Sequence, residues 1–291
     1  MNRIANLMDR LAKTEGVNNT LLSCVKIFKA SRHQPRQPLC YEQGVFIVGQ
    51  GSKHLFLDGK AYTYDPDTYL VLSVPLPAEC ETHATKDKPL LSLMVDIDPG
   101  QLNKIIGQMG DLHPPPTRTS KHQGLFLART TPEIKQIITR LLYALLSPVD
   151  ARVIGQGIVR ELLFRIICGE NAASLNALAL KNTNLSRVDK ALKNIHGNYQ
   201  KPMDVGNLAA LVNMSPSAFH RAFKEVTASS PIQYLKKIRL NKARTLLAEN
   251  GIRVNEAATK VGYESATQFS REFKRYFGIS PVKYIADNGL S

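Results

Sequence analysis

A 20-residue repeat near the C-terminus is the feature that most constrains this chain. The segment "SPSAFHRAFKEVTASSPIQY" at 215–234 recurs imperfectly as "SATQFSREFKRYFGISPVKY" at 265–284. At an offset of 50, the copies share an opening serine, two phenylalanines four residues apart, an arginine, a lysine and a Ser-Pro pair followed by a tyrosine. Two copies are too few to stack into a solenoid. Each copy must therefore find its packing partners within a small local fold.

Each copy predicts two short helices joined by a tight turn. The first helices are expected at 205–212 and 254–261, and the second helices, each opening at a serine N-cap, at 215–227 and 265–277. Phenylalanines four residues apart share one helix face and therefore indicate the core side of the second helix. Small residues, Ala209 and Ala258, let the first helix pack closely against it. This arrangement is typical of the helix-turn-helix, whose second helix enters the DNA major groove.

The face of each second helix that points away from the phenylalanines is expected to contact DNA. Arginine can donate two hydrogen bonds to guanine, and glutamine can pair with adenine. The predicted base-contacting residues are Ser217, His220, Arg221, Thr267, Gln268 and Arg271, and the predicted phosphate-contacting residues are Lys224, Lys274 and Arg275. Any one of these residues also fits an ordinary solvated helix face. The recurrence of arginine at 221 and 271 favours DNA reading, and the other differences between the copies predict an asymmetric site.

A connecting helix is expected between the copies, within 230–250. About 18 helical residues would span roughly 27 Å. That length suits two reading helices held about one DNA turn, roughly 34 Å, apart.

Positive charge is concentrated in the same part of the chain. Residues 186–291 carry 17 Lys and Arg against 8 Asp and Glu, whereas residues 1–185 carry 21 against 16, in a chain of net charge +14. A local basic excess is typical of nucleic-acid binding, although an anionic membrane surface would match the same charge. No apolar run approaches the roughly 18 residues of a membrane span, and the N-terminus has no signal-peptide core. We therefore expect a cytoplasmic protein without a membrane partner.

The first part of the chain predicts strands. Short runs of β-branched, aromatic and apolar residues fill 21–98, and Asp58-Gly59 between two of them predicts a hairpin. This spacing is typical of a small barrel or sandwich. A short amphipathic helix is expected before it from Ile4, Leu7, Met8 and Leu11, and a loop-rich segment after it around 114–116.

The hydrophobic period then changes to that of helices. From the predicted N-cap Thr131, apolar residues recur at helical spacing and predict a helical hairpin over 131–168. Its apolar face fits two roles equally well, a cover for the barrel or a subunit interface. Residues 171–185 are interpreted as an interdomain linker with some helical character.

With these residues identified, the C-terminal third resembles the DNA-binding domain of the AraC/XylS family of bacterial transcription regulators. The match runs over about 187–287 and is carried by Ala258, Gly262, Tyr263, Ser265, Phe269, Arg271, Phe273, Lys274, Gly278, Pro281 and Tyr284. One departure is in the first unit, which has Thr227-Ala228-Ser229-Ser230 where the family usually has glycine before the Ser/Thr-Pro pair. Residues 41–79 resemble the cupin-like sensor of one branch of that family.

The resemblance implies an α+β multidomain protein. It would comprise a cupin-like barrel with its helical hairpin at 1–170, the linker at 171–185, and an all-α domain with two helix-turn-helix units at 186–291. It implies a transcription regulator that binds double-stranded promoter or operator DNA, contacts RNA polymerase, responds to a small-molecule effector or partner, and forms a homodimer through its N-terminal part. Candidate effector contacts are Tyr41, Phe46, Phe56 and Tyr69, each of which also fits barrel core.

Two other classes of protein must be weighed. Many cupins are metal enzymes, whose chemistry requires a cluster such as H-x-H with a glutamate and a later histidine. Here His33, His54 and His83 are separated along the chain, and no nucleophile-base signature or phosphate-binding glycine loop is found. We therefore expect no enzyme, no metal and no cofactor. A DNA-organising protein without effector control is the other alternative, and the sensor-like barrel ahead of the DNA domain argues against it.

Overall fold

The computed structural model describes residues 2–110, 124–169, 173–180, 182–249 and 252–288. The loop-rich segment expected around 114–116 lies outside the described residues. The chain divides into two compact units, the first comprising Met1–Arg36 and Tyr41–Ser186 and the second comprising Gln37–Cys40 and Arg187–Ser291. The fold class is the predicted α+β arrangement, with a β-rich N-terminal part and a helical C-terminal part.

Two antiparallel sheets make up the N-terminal part. The strands are β1 (Gly16–Asn19), β2 (Val25–Ala30), β3 (Gln34–Tyr41), β4 (Gly44–Gln50), β5 (Ser52–Leu57), β6 (Lys60–Tyr64), β7 (Thr68–Leu72), β8 (Leu76–His83), β9 (Leu90–Asp96) and β10 (Leu125–Arg129). One sheet has the order β1-β2-β9-β4-β7-β10 and the other β3-β8-β5-β6. The strands predicted over 21–98 are confirmed, and β1 and β10 extend the larger sheet beyond that prediction.

The hairpin predicted at Asp58-Gly59 is confirmed. Strands β5 and β6 pair from Lys53↔Tyr64 to Leu57↔Lys60. Both turn residues have positive φ, 51° at Asp58 and 73° at Gly59. Two left-handed residues in a two-residue loop give the twist that the flanking strands require, which is why Asp-Gly predicts this turn.

The N-terminal part also contains helices, the first of which packs against strands of the larger sheet. They are α1 (Arg3–Leu11), α2 (Pro99–Met109), α3 (Pro132–Ala144), the short α4 (Pro148–Asp150) with a π-helical turn at Ala151–Gly155, α5 (Gln156–Ile167) and α6 (Ala173–Ala179). The predicted amphipathic helix is α1, whose Met8 packs against Gly49 of β4. Helix α2 was not predicted, and α6 occupies part of the segment interpreted as a linker.

The helical hairpin buries its apolar face within the chain. The predicted cap is confirmed, because Thr131 Oγ1 accepts a hydrogen bond from the backbone N–H of Ile134. The inward residues of α3 and α5 are almost fully buried, among them Ile138, Leu141 and Leu162. Of the two roles left open for this face, burial within the chain accounts for most of it. Among the described residues of this hairpin, four large apolar side chains are exposed. Three of them lie at the bend, Val149, Val153 and Ile154, and the fourth is Tyr143.

The described residues of the C-terminal part form helices joined by short turns. The helices are α7 (Asn184–Asn198), α8 (Val205–Leu211), α9 (Pro216–Thr227), α10 (Pro231–Glu249), α11 (Val254–Lys260), α12 (Ala266–Phe277) and α13 (Pro281–Asn288). The four predicted short helices correspond to α8, α9, α11 and α12. The connecting helix α10 has 19 residues, which is about 28 Å at 1.5 Å per residue. Within the described ranges, no helix has both the length and the apolar character that crossing a bilayer requires.

Candidate nucleic-acid interface

The phenylalanines of the repeat form the frame that holds each second helix. Phe219, Phe223, Phe269 and Phe273 are fully buried. Their rings pack in pairs, with centroids 5.5 Å apart in α9 and 5.6 Å apart in α12. Ala209 and Ala258 are also buried beneath them, as their small size predicted. The core side assigned from helical spacing is therefore confirmed in both copies, and it determines which face of α9 and of α12 is left for solvent.

Serine caps start both helices, as predicted. Ser215 Oγ accepts a hydrogen bond from the N–H of Ala218 at 3.4 Å, and Ser265 Oγ accepts one from the N–H of Gln268 at 3.3 Å. Each cap satisfies a backbone donor that the first helical turn leaves without a partner.

A left-handed residue makes the turn in each helix-turn-helix unit. Asn213 (φ 54°) and Gly262 (φ 86°) each follow the valine that ends the first helix. A Cβ at residue 262 would overlap the carbonyl of Gln200 and lie 3.0 Å from the guanidinium of Arg239. Only glycine fits there, whereas the first unit accepts asparagine, a residue that tolerates this conformation. The repeat alignment pairs these positions, but their shared backbone role was not recognised from the sequence.

All nine residues predicted to contact DNA lie exposed on α9 and α12. They are Ser217, His220, Arg221, Lys224, Thr267, Gln268, Arg271, Lys274 and Arg275. None of the five basic side chains among them forms an ion pair with a carboxylate in the described part of the chain. Their donors are therefore not committed to intramolecular ion pairs, as binding to phosphates and base edges requires. The individual contacts remain predictions.

A carboxylate network that sequence reasoning missed supports the second reading helix. Glu272 lies on α12 with only 12% of its side chain exposed, and its Oε1 is 2.9 Å from Lys236 Nζ. Tyr263 Oη donates to Oε2 at 2.8 Å, and Gln268 Nε2 donates to Oε1 at 3.3 Å. Burial raises the pKa of Glu272, but these three donors outweigh it and hold the pKa below its usual value. The network ties α10, the turn and α12 together, and it orients one predicted base-reading side chain, Gln268.

Inside the N-terminal part, a lysine is buried among aromatic rings. Lys53 is 7% exposed, and its Nζ lies 4.4 Å from the ring centroid of Phe28 and 5.8 Å from that of Tyr41. Tyr41 Oη is 2.9 Å from both Tyr64 Oη and Cys80 Sγ. Burial lowers the pKa of Lys53. No carboxylate in the described ranges pairs with its ammonium group; a hydrogen bond with the thiol of Cys80 partly opposes the effect of burial on the pKa of Lys53.

The four candidate effector contacts do not form one cluster. Tyr41 and Phe46 meet edge to face in the interior, with ring centroids 5.3 Å apart. Phe56 packs against the guanidinium of Arg36, 4.1 Å from its ring centroid. Tyr69 is buried and lines a separate cavity of about 750 Å³. Lys53 was missed as a candidate. Residues two apart on a strand face the same side, so its spacing from the apolar Leu55 on β5 could have indicated that Lys53 faces the interior.

Both parts of the chain match models of known protein families. The model of the AraC-type transcriptional regulator N-terminus matches residues 22–174, more than half of the chain, and a helix-turn-helix domain model matches residues 208–287. The fold is similar to that of ToxT from Vibrio cholerae, in a crystal structure with a bound unsaturated fatty acid, with a TM-score of 0.61 at 11% identity over 90% of this chain and 94% of that one.

Curated relatives match over shorter stretches. The HTH-type transcriptional regulator AlkR of Acinetobacter baylyi is 40% identical over 97 residues, which are 33% of this chain and 32% of that protein. GbdR of Pseudomonas aeruginosa is 33% identical over 99 residues, 34% of this chain and 27% of that protein. The chain thus spans about a third of the length of these relatives. Because the N-terminal model alone covers more than half of the sequence, this chain belongs to the AraC-type transcriptional regulators.

Proposed function

We propose that the protein is a cytoplasmic, sequence-specific DNA-binding transcription regulator whose occupancy of DNA is controlled by a small molecule bound in its N-terminal part. The observation that carries the DNA-binding role is the pair of exposed arginines, Arg221 and Arg271. They occupy equivalent positions on two helices whose opposite faces are anchored by buried phenylalanines. The relatives that match this region are named as transcription regulators, which supports a binding protein rather than an enzyme.

The DNA site is expected to be asymmetric. At equivalent positions, α9 has Ala218 where α12 has Gln268, and His220 where α12 has Ser270, so these positions offer different hydrogen-bonding groups. Helix α10, about 28 Å long, suits a spacing near one DNA turn of about 34 Å. One chain would then read two successive major-groove half-sites of different sequence.

The effector is expected to carry an acidic group. A buried ammonium with no carboxylate partner is costly, and an anionic ligand would give Lys53 a counter-charge in addition to its hydrogen bond with Cys80. The crystal structure of ToxT with a bound unsaturated fatty acid supports a ligand of this class in a similar fold. Such a ligand can change DNA occupancy only through different affinities for two states of the protein.

A homodimer is proposed through the bend of the helical hairpin. Val149 and Val153 are 68% and 73% exposed, and Ile154 is 50% exposed beside them. Three exposed aliphatic side chains on one short segment support a contact with a second copy. Contact of DNA-bound protein with RNA polymerase would complete the regulatory step.

A genome-wide binding profile tests the proposal. The wild type is compared with an Arg221→Ala/Arg271→Ala double variant, and both are profiled with and without medium-chain and long-chain carboxylic acids. We expect sharp wild-type peaks upstream of genes, containing two unequal half-sites about one DNA turn apart, which the double variant loses. Adding an effective carboxylic acid should change the height of the peaks for the wild type but not for Lys53→Met. Even coverage of the genome by the wild type would instead indicate a DNA-organising protein.

A further inference from the structure

Three histidines and a glutamate that the proposed function does not use lie close together, three of them on strands of the smaller sheet and His33 immediately before its strand β3. In the pairing of β5 with β8, His54 lies opposite Glu81, and His83 follows two residues later. Alternate residues of a strand point to opposite faces. Since Lys53 and Leu55 are buried in the interior, His54, Glu81 and His83 lie on the outer face. His54 and His83, which are far apart in the sequence, are therefore close together in space.

The distances bring three ligand atoms around one point. Glu81 Oε1 lies 3.7 Å from His33 Nε2 and 3.6 Å from His83 Nε2. All three ligand atoms are within 4.8 Å of one another. The ring of His54 packs against that of His83, with centroids 4.6 Å apart, and so limits the rotation of the His83 ring.

We propose that His33, Glu81 and His83 bind a divalent transition-metal ion of the zinc type. Zinc takes imidazole nitrogen and carboxylate oxygen at about 2.0–2.2 Å, so two ligand atoms of a tetrahedral ion lie about 3.4 Å apart. The separations from Glu81 are within a few tenths of an ångström of that value. The side chains of His33 and His83 are 50% and 43% exposed, which leaves a fourth position open to water.

Charge supports a cation here. Two residues earlier on the same face, Glu79 is paired with Arg36. Glu81, in contrast, is paired in the described part of the chain only with the two histidines. A divalent ion would offset the carboxylate charge of Glu81 while using the nitrogen lone pairs of the two imidazoles.

The bound ion would tie the segment before β3 to β8. The neighbours of Glu81 on β8, Cys80 and Thr82, are buried on the opposite face, and Cys80 contacts Tyr41 in the interior. Metal binding is therefore expected to stiffen a strand that also lines the proposed effector site. The metal site does not depend on the DNA-binding role, and its test contains no DNA.

Calorimetric titration with Zn²⁺ tests the site on the full chain, free of any tag and stripped of metal. The wild type is expected to bind one more Zn²⁺ per chain than His33→Ala, Glu81→Gln or His83→Ala. If a variant still binds that ion, its affinity should be at least about 10-fold weaker than that of the wild type. Glu79→Gln is the matched control, because it removes a carboxylate from the same face of the same strand and should titrate as the wild type does. Circular dichroism of the metal-free proteins checks that each variant is folded.

Visible absorption of bound Co²⁺ provides a second readout. We expect bands of a four- or five-coordinate ion that disappear in Glu81→Gln and persist in Glu79→Gln. Thiolate-to-metal bands would place the ion on cysteines and overturn the proposal. The proposal would also be overturned if Glu81→Gln and His83→Ala bound Zn²⁺ as the wild type does, or if Glu79→Gln lost as much Zn²⁺ binding as Glu81→Gln.

Discussion

The hydroxyl of Tyr263 donates a hydrogen bond of 2.8 Å to Oε2 of Glu272, and so joins the turn of the second helix-turn-helix unit to its reading helix. The ring of Tyr263 also packs against the core phenylalanine Phe269, with centroids 5.3 Å apart. One side chain thus links the packing frame to the polar network that orients Gln268.

Tyr263→Phe should lower the free energy of unfolding by about 2 kcal/mol, because a partly buried hydrogen bond to a charged acceptor is lost while the ring stays in place. Urea unfolding followed by circular dichroism measures the loss. In a Glu272→Gln background the same substitution should cost clearly less. Equal costs in the two backgrounds would mean that this hydrogen bond does not carry the effect.

Gly262→Ala should destabilise the protein by about 3 kcal/mol or more. It places a side chain in a left-handed conformation and forces it against the carbonyl of Gln200. Gly278→Ala is the matched control, because residue 278 has a similar φ of 78° but open space around the Cβ position. It should cost only the conformational penalty, about 1–2 kcal/mol. Similar losses at the two positions would show that the overlap is relieved at little cost.

Ala228→Gly should stabilise the protein by about 1 kcal/mol. Ala228 ends α9 in the left-handed conformation, with φ 56°, where glycine carries no Cβ penalty. The family resemblance pointed to the segment 227–230, which contains this residue, as a departure. Ala248→Gly, the same change at an exposed position of α10, should instead cost about 1 kcal/mol. Thermal melts that shift in the same direction for both variants would contradict the assigned strain.

Acid should destabilise the C-terminal part through His196. Its Nε2 lies 2.8 Å from Tyr234 Oη, and burial, reinforced by the nearby charge of Lys242, lowers its pKa to about 4. The unfolded chain, with a pKa near 6.5, binds more protons between those values. The contribution of neutral His196 to the free energy of unfolding is therefore complete above about pH 6.5 and is lost as the pH falls towards 4. The loss should be about 2–3 kcal/mol at pH 4.5.

Urea unfolding between pH 7 and 4.5 measures this dependence. His196→Gln should flatten the slope, whereas His220→Gln, at an exposed histidine of α9, should leave it as in the wild type. Parallel slopes in wild type and His196→Gln would assign the acid sensitivity to carboxylates instead.

Arg271→Ala should cost about 1–3 kcal/mol on the specific DNA site and far less on non-specific DNA, because it is predicted to read a base. Lys274→Ala should weaken both and flatten the salt dependence by about one unit of slope, as loss of a phosphate contact does. Gel shifts over a salt series separate the two. Equal losses for Arg271→Ala on both DNAs, or a selective loss for Lys274→Ala, would reverse these roles.

The sequence by itself determined the local elements and the core of the C-terminal part. Helical spacing predicted the buried phenylalanines, the serines predicted the helix starts, and Asp58-Gly59 predicted the hairpin, because each signal depends on residues within a few positions of one another. The repeat also separated packing positions from exposed ones on α9 and α12. Helix α2 was missed although Asp98-Pro99 is a helix-start signal, and β10 was missed because it forms by pairing with β7.

Only the tertiary structure decided which distant polar groups meet. His33 joins Glu81 and His83, Lys53 lies among aromatic rings, and Glu272 collects donors from a turn and from another helix. These contacts depend on strand register and helix packing, which bring together residues separated by 9 to 50 positions in the sequence. A shift of one residue in the register of β5 and β8 would move the cluster to the other face of the sheet. The pattern along the chain does not contain that information, since it arises when the sheets and helices pack.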